Sequence, residues 1–122
     1  MPTLHPYEYA YVRVMPRIER EEFFNTGVIL FCRTKRFLAA QITFRPERLQ
    51  SIAPYLNPDQ VQEHLALIPR ICAGEGPIGA LELSERFRWI AAPHNAVVQC
   101  GPIHGGCCED PAAVLERLFR EI

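Results

Sequence analysis

Three groups of residues in this 122-residue chain have types and spacings that could do chemistry. The first is Arg13, Arg17, Glu19, Arg20, Glu21, Glu22 and Asn25, where guanidinium and carboxylate groups crowd one short stretch. A guanidinium fork matches carboxylate and phosphate oxygens bidentately, so such a stretch suits gripping a phosphate or an acidic partner. Gly27, just past Asn25, allows a tight turn or a close backbone approach. The same charges also fit a solvated hairpin tip that keeps a sheet edge from associating.

The second group is His94, Cys100, His104, Cys107, Cys108 and Asp110. Imidazole and thiolate are zinc ligands, and His104-x-x-Cys107 is a chelating spacing. A structural zinc needs a second spaced pair, and nothing here matches CxxC…CxxC or CxxC…HxxxH. No metal is therefore expected, with His104, Cys107 and Cys108 the residues placed to attempt it. A nucleophilic Cys107 or Cys108 activated by His104 lacks an identifiable third, orienting residue. The third group, Arg86-Phe87-Arg88-Trp89, interleaves cations and aromatics as base-stacking surfaces do. It is more simply read as one helix with Phe87 and Ile90 inward and the arginines outward. There is no GxGxxG, GxxxxGK[ST], HExxH or GxSxG, and no paired carboxylates stand out.

The elements that must position these groups follow from periodicity. Tyr7 to Met15 alternates as a strand, with Tyr7, Tyr9, Tyr11, Arg13 and Met15 on one face and Ala10, Val12 and Val14 on the other. Pro16 is expected to end it. Residues 17–25 read as a charged connection, Thr26 to Cys32 as a central strand apolar on both faces, and Phe37 to Phe44 as a third strand. Short connections predict an antiparallel meander. Pro46 starts a helix reaching Ile52 or Ala53. Asn57-Pro58 caps a second helix with Val61, Leu65 and Ile68 inward, which Pro69 should end or kink. Residues 72–79 read as loop. Ser84 opens a third helix with Phe87, Ile90 and Ala91 inward, stopped before Pro93. Asn95 to Cys100 is a fourth strand and Gly101 to Glu109 a loop. Asp110-Pro111 caps a last helix with Val114, Leu115, Leu118, Phe119 and Ile122 in one stripe. The expectation is an α+β fold of βββ-ααα-β-α order: a four-stranded, mainly antiparallel sheet with helices packed mainly on one face.

Composition sets the frame. A length of 122 residues with 48% hydrophobic and 22% charged residues suits one globular domain, residues 1–122, and argues against disorder. Five cysteines cannot all pair within the chain, and reduced thiols in the cytosol are the expectation. No secretory signal and no bilayer-length apolar run is present, so no membrane association is expected. The formal net charge of −1 gives no global attraction for nucleic acid, although residues 11–48 carry eight basic groups against four acidic ones.

The run R-x-x-P-R-x-E-x-x-E-F-x-N-x-G-V-x-L-F-C (Arg13 to Cys32) is the most distinctive pattern. Together with RFRWIAAP (86–93), VVQ (97–99), PIHGG (102–106) and DPAAVLERLF (110–119), it resembles a bacterial family catalogued as domain of unknown function 3037. The family usually has a glycine where Glu21 stands, and a short Gly-Leu step where this chain has Gly105-Gly106-Cys107-Cys108. The resemblance implies a small stand-alone protein, often encoded beside a HipA-like kinase-domain protein, and hence a protein partner. Its motif positions fall on Arg13, Arg17, Glu22, Asn25, Gly27, Arg86, Phe87 and His104.

The reading that follows is a non-enzymatic interaction or regulatory module with no cofactor, acting through the first hairpin and the 101–109 segment. Its candidate binding residues are Arg13, Arg17, Glu22, Asn25, Arg86 and His104. The alternative is an enzyme or phosphate-ligand binder with Arg17, Glu22, Asn25, Arg86 and His104 converging on one pocket. A nucleic-acid-binding module comes third, against an acidic sequence pI of about 6.4.

Overall fold

A computed structural model describes residues 3–17, 22–92 and 97–122 of the chain. Its centre is β1 (His5–Arg17), a strand long enough to pair along both edges. On one side it pairs antiparallel with β2 (Glu22–Cys32), which in turn pairs with β3 (Phe37–Ile42). On the other side it pairs with β4 (Val98–Cys100) and then β5 (His104–Cys108). The sheet therefore has five strands where four were expected, β4 and β5 following one another along the same edge of β1.

The alternation of β1 is realised as the sequence predicts. Ala10, Val12 and Val14 are fully buried on one face, while Tyr7, Tyr9 and Tyr11 pack on the other. β2 is buried on both sides, sending Ile29 and Phe31 one way and Val28, Leu30 and Cys32 the other. A register shift separates Val12, opposite Gly27, from Arg13, opposite Asn25. Thr26 is the extra residue of this bulge; it is buried and its hydroxyl donates to the Val12 carbonyl at 3.3 Å. A bulge twists and re-aims the strand that carries it.

Helices α1 (Pro46–Ile52), α2 (Pro58–Cys72), the single turn α3 (Gly76–Gly79) and α4 (Leu83–Ala91) form a layer over the Ala10–Val12–Val14 face. The amphipathic α5 (Pro111–Arg120) covers the opposite face with Val114, Leu115 and Leu118. Helices thus lie mainly, not wholly, on one face. Asn57 and Asp110 cap α2 and α5 as their Asx-Pro pairs predict, accepting from Asp59 N and Ala112 N.

Several stretches differ from the sequence reading; residues 72–79, read as loop, hold the end of α2 at Cys72 and the single turn α3. β1 continues through Pro16 to Arg17, because the ladder is irregular between Val14 and Arg17 and the missing N–H falls there. Residues 22–25, read as connection, begin β2. Helix α2 runs through Pro69 to Cys72; the proline sits in the last turn, and burial of Ile68 and Cys72 offsets the lost hydrogen bond. The segment read as a 101–109 loop holds β5. Three steps along β1, Tyr9 to Val12, oppose four steps from Cys100 to His104, so β4 and β5 are one edge strand interrupted by a bulge. Pro102, lacking an N–H, explains the interruption, and Gly101 N still donates to Tyr11 O at 2.9 Å. The expected fourth strand begins at Asn95, outside the described residues, and is observed over Val98–Cys100.

All five cysteines are free. Burial, above all, pushes the Cys72 thiol from its ordinary value near 9 up to about 12, and that of Cys100 to about 11. The folded state therefore holds these protons where the unfolded chain has released them. Stability is fully present below pH 9 and falls as pH rises from about 9 towards 11–12. Urea midpoints measured at pH 8, 9.5 and 10.5 are expected to fall in that order, with a shallower decline in Cys72→Ala.

Candidate functional site

Arg13 is the best-defined candidate. The bulge places it opposite Asn25 on the tyrosine face of the sheet, where Phe23 also projects, 45% exposed. Its guanidinium carbon lies 4.0 Å from the Phe23 ring centroid, a cation–π stack. On the β4 side the guanidinium rests against Gly101, where an added Cβ would stand 2.5 Å from Arg13 Cζ and 2.8 Å from Nε. Phenylalanine and glycine thus hold the cation by shape. Among the described residues no carboxylate pairs with it, and Arg13 Nε and Asn25 Oδ1 are both buried without a hydrogen-bond partner. Unsatisfied buried polar atoms are rare enough to need a reason, and a functional site is one.

Gly101→Ala tests this cradle. The group it meets is the flexible end of Arg13, so unfolding free energy should change by less than about 1 kcal/mol. The upfield ring-current shift of the Arg13 side-chain protons over Phe23 should be lost in the NMR spectrum. Retention of that shift would mean Gly101 does not set the arginine's position.

The next residue of β2 repeats the device on the other face. Phe24 is buried, and the Arg48 guanidinium lies 4.9 Å from its ring centroid. Asn25, Thr43, Arg45 and Arg48 line an open cavity of about 550 Å³ beside these rings. Arginine–phenylalanine pairs therefore sit on both faces of β2 at adjacent residues.

Along the same face as Arg13 runs an aromatic stripe. Tyr7 and Tyr9 centroids are 6.0 Å apart, and Tyr9 and Tyr11 meet edge to face at 5.8 Å. The His104 ring packs 5.4 Å from Tyr9. Burial, with Tyr9 and Glu121 nearby, pushes the Tyr11 phenol up, so it stays neutral. His104 stands four residues of β1 away from Arg13, about 13 Å along a strand. General acid–base chemistry needs hydrogen-bond reach, so His104 and Arg13 do not form one catalytic pocket.

The remaining candidates separate further. Arg86 belongs to the helical layer: Nε donates to Leu81 O at 2.7 Å and Nη1 to Cys72 O at 3.4 Å. It ties α4 to the end of α2 across the sheet from Arg13, a structural role. The five-residue pocket of the alternative reading is not assembled, since Arg86 and His104 lie on different layers. Arg17 and Glu22 are register partners where β1 and β2 converge; their side chains lie outside the described residues. Glu19, Arg20, Glu21 and His94 lie outside the described residues altogether. For metal, strand alternation turns His104 and Cys108 to one face and Cys107 to the other, so the His104–Cys107 spacing cannot chelate. Cys108 is buried under α5 and Cys107 is exposed. No group of three metal-ligating side chains occurs among the described residues.

Phe23 and Gly101 were not among the residues singled out by spacing. The adjacent pair Phe23-Phe24 beside Asn25 was the available signal: successive strand residues point to opposite faces, so each ring can carry its own cation.

A family model described as "Protein of unknown function (DUF3037)" matches residues 9–122, nearly the whole chain. No curated protein and no solved structure matches it. No helix among the described residues is long and apolar enough to cross a membrane.

Proposed function

The chain belongs to the DUF3037 family, and from that premise we propose that it is a single-domain, non-enzymatic protein-interaction module. Its docking face is the outer surface around Arg13, Phe23 and Asn25, extended by Arg17 and Glu22 at the hairpin. The observation carrying this reading is the Arg13 cation, fixed by a ring and a glycine and without a carboxylate partner among the described residues. A guanidinium held in place loses little side-chain entropy on binding, so it is well suited to meet an acidic segment of a partner. The exposed Phe23 ring supplies apolar contact at the same point. The family resemblance nominates a HipA-like kinase-domain protein of the same cell as that partner.

The test is binding of the purified chain to that protein, followed by calorimetry and by native mass spectrometry of chain isolated from its own host. Arg13→Ala should weaken the complex about tenfold or more, and Arg17→Ala should weaken it less. Arg13→Ala should melt within a few degrees of the parent, since Arg13 belongs to neither buried core, and the same is expected of Arg17→Ala. A complex that forms equally well with Arg13→Ala would overturn the reading.

A further inference from the structure

At the opposite end of the sheet, two open cavities of about 750 and 420 Å³ share Phe31, Arg33 and Ser84. Together they form one groove between the β2–β3 turn (33–36) and the start of α4. Arg33 and Arg36 enter it from the turn, and Arg88 from α4, one helical turn beyond Ser84. We infer that this groove binds a small organic phosphate, with the three arginines around the phosphate and the Phe31 side of the groove under the rest of the ligand.

Four observations converge. First, the side chains of the three arginines make no hydrogen bond or ion pair with any described residue, although Glu8 and Glu82 line the same space. Three cations against two carboxylates leave the groove positive. Second, Arg36 has φ of 50°, the one positive value among described non-glycine residues. That left-handed conformation costs roughly 1 kcal/mol for an ordinary side chain and is usually given to glycine or asparagine. A long cation kept there in spite of the strain is best explained by what its side chain does. Third, α4 starts without a side-chain cap: Glu82 stands at the N-cap and accepts nothing from the first amides. Those N–H groups and the helix dipole add positive potential at Leu83 and Ser84, which line the groove. Fourth, Phe31 and Leu83 give it an apolar wall, and the space suits a ligand of nucleotide size.

Geometry favours phosphate over carboxylate. A planar carboxylate presents its two oxygens in one plane, whereas a phosphate monoester offers three terminal oxygens in a tetrahedral array. Cations arriving from the turn on one side and the helix on the other match the second. The site is separate from the Arg13 face and stands or falls independently of it.

The test is an NMR titration of the full chain with inorganic phosphate and, separately, AMP, following backbone amides and arginine side chains. Saturable shifts are expected at Leu83, Ser84, Arg33 and Arg36, with AMP saturating at lower concentration than phosphate because of the apolar wall. Arg33→Ala/Arg36→Ala should weaken both ligands about tenfold or more. Arg36→Gly is the variant that cannot fail through misfolding: it relieves the positive φ, so it should melt at or above the parent temperature yet bind several-fold more weakly. Absence of saturable shifts at roughly 10 mM of either ligand, unaltered binding by both variants, or shifts centred on Arg45 and Arg48 instead would each overturn the inference.

Discussion

Phe87→Ala is expected to lower the unfolding free energy by about 3–5 kcal/mol, the usual cost of deleting a buried aromatic ring. Phe87 is 1% exposed and stacks on Phe31 with centroids 5.6 Å apart. It is the central residue by which α4 is fixed to the sheet, flanked by the buried Ile90 and Ala91. The void left by its ring would be lined by groups held on a strand from one side and on helices from the other, so little collapse can fill it. A domain of this size is typically stable by only about 5–15 kcal/mol, so a third or more of the total is at stake. The midpoint of thermal unfolding should fall by more than about 10 °C. Urea unfolding followed by the fluorescence of Trp89, the sole tryptophan, measures it. A loss below about 1 kcal/mol would mean that α4 does not dock on β2 through this residue.

Gly27→Ala should be the second most damaging single change, by at least about 1–3 kcal/mol, for the opposite reason: atoms added where none fit. Gly27 faces Ile42 on β3 and Val12 on β1. A Cβ there would stand 2.5 Å from the Gln41 carbonyl oxygen, 2.6 Å from Ile42 Cδ1 and 3.2 Å from Ile42 Cα. The isoleucine tip can turn away, but the backbone of β3 cannot move without losing its ladder to β2. Hydrogen exchange of the β2–β3 amides should accelerate most. Gly105→Ala is the control, because its nearest contact, Tyr7 O at 3.4 Å, is close to ordinary packing distance. Equal losses in the two variants would show that crowding at β3 does not set the effect, since the chain-entropy change of Gly→Ala by itself stabilises.

Much of the fold was legible because local chemistry and tertiary position agree. The alternation of Tyr7 to Met15, the double-faced Thr26–Cys32 segment and the Asx-Pro caps at Asn57 and Asp110 each follow from nearest neighbours. β5 was not legible, since His-Gly-Gly-Cys-Cys has no strand propensity. It is a strand because the first half of β1 offers it a ladder, and that offer is made from a distant part of the sequence. The candidate site divides in the same way. Arg13 and Asn25 were visible as charged and polar residues on a strand, but the Gly101 gap that seats Arg13 belongs to another strand. Arg86 looked like Arg13 in sequence; only the carbonyls of Leu81 and Cys72 reveal it as a brace.

The position of β1 has a consequence for how the chain reaches its fold. One edge of this strand is satisfied by the hairpin that immediately follows, but the other waits for residues 98–108. Closing so long a loop is slow relative to hairpin formation. During synthesis the β1–β3 meander therefore exists for a time with a row of unpaired donors and acceptors along β1, beside exposed tyrosines. Such an edge is a template for joining another chain's strand. Truncation before residue 98 should accordingly yield an aggregating meander, while the intact chain escapes that fate only once its last strands have been made.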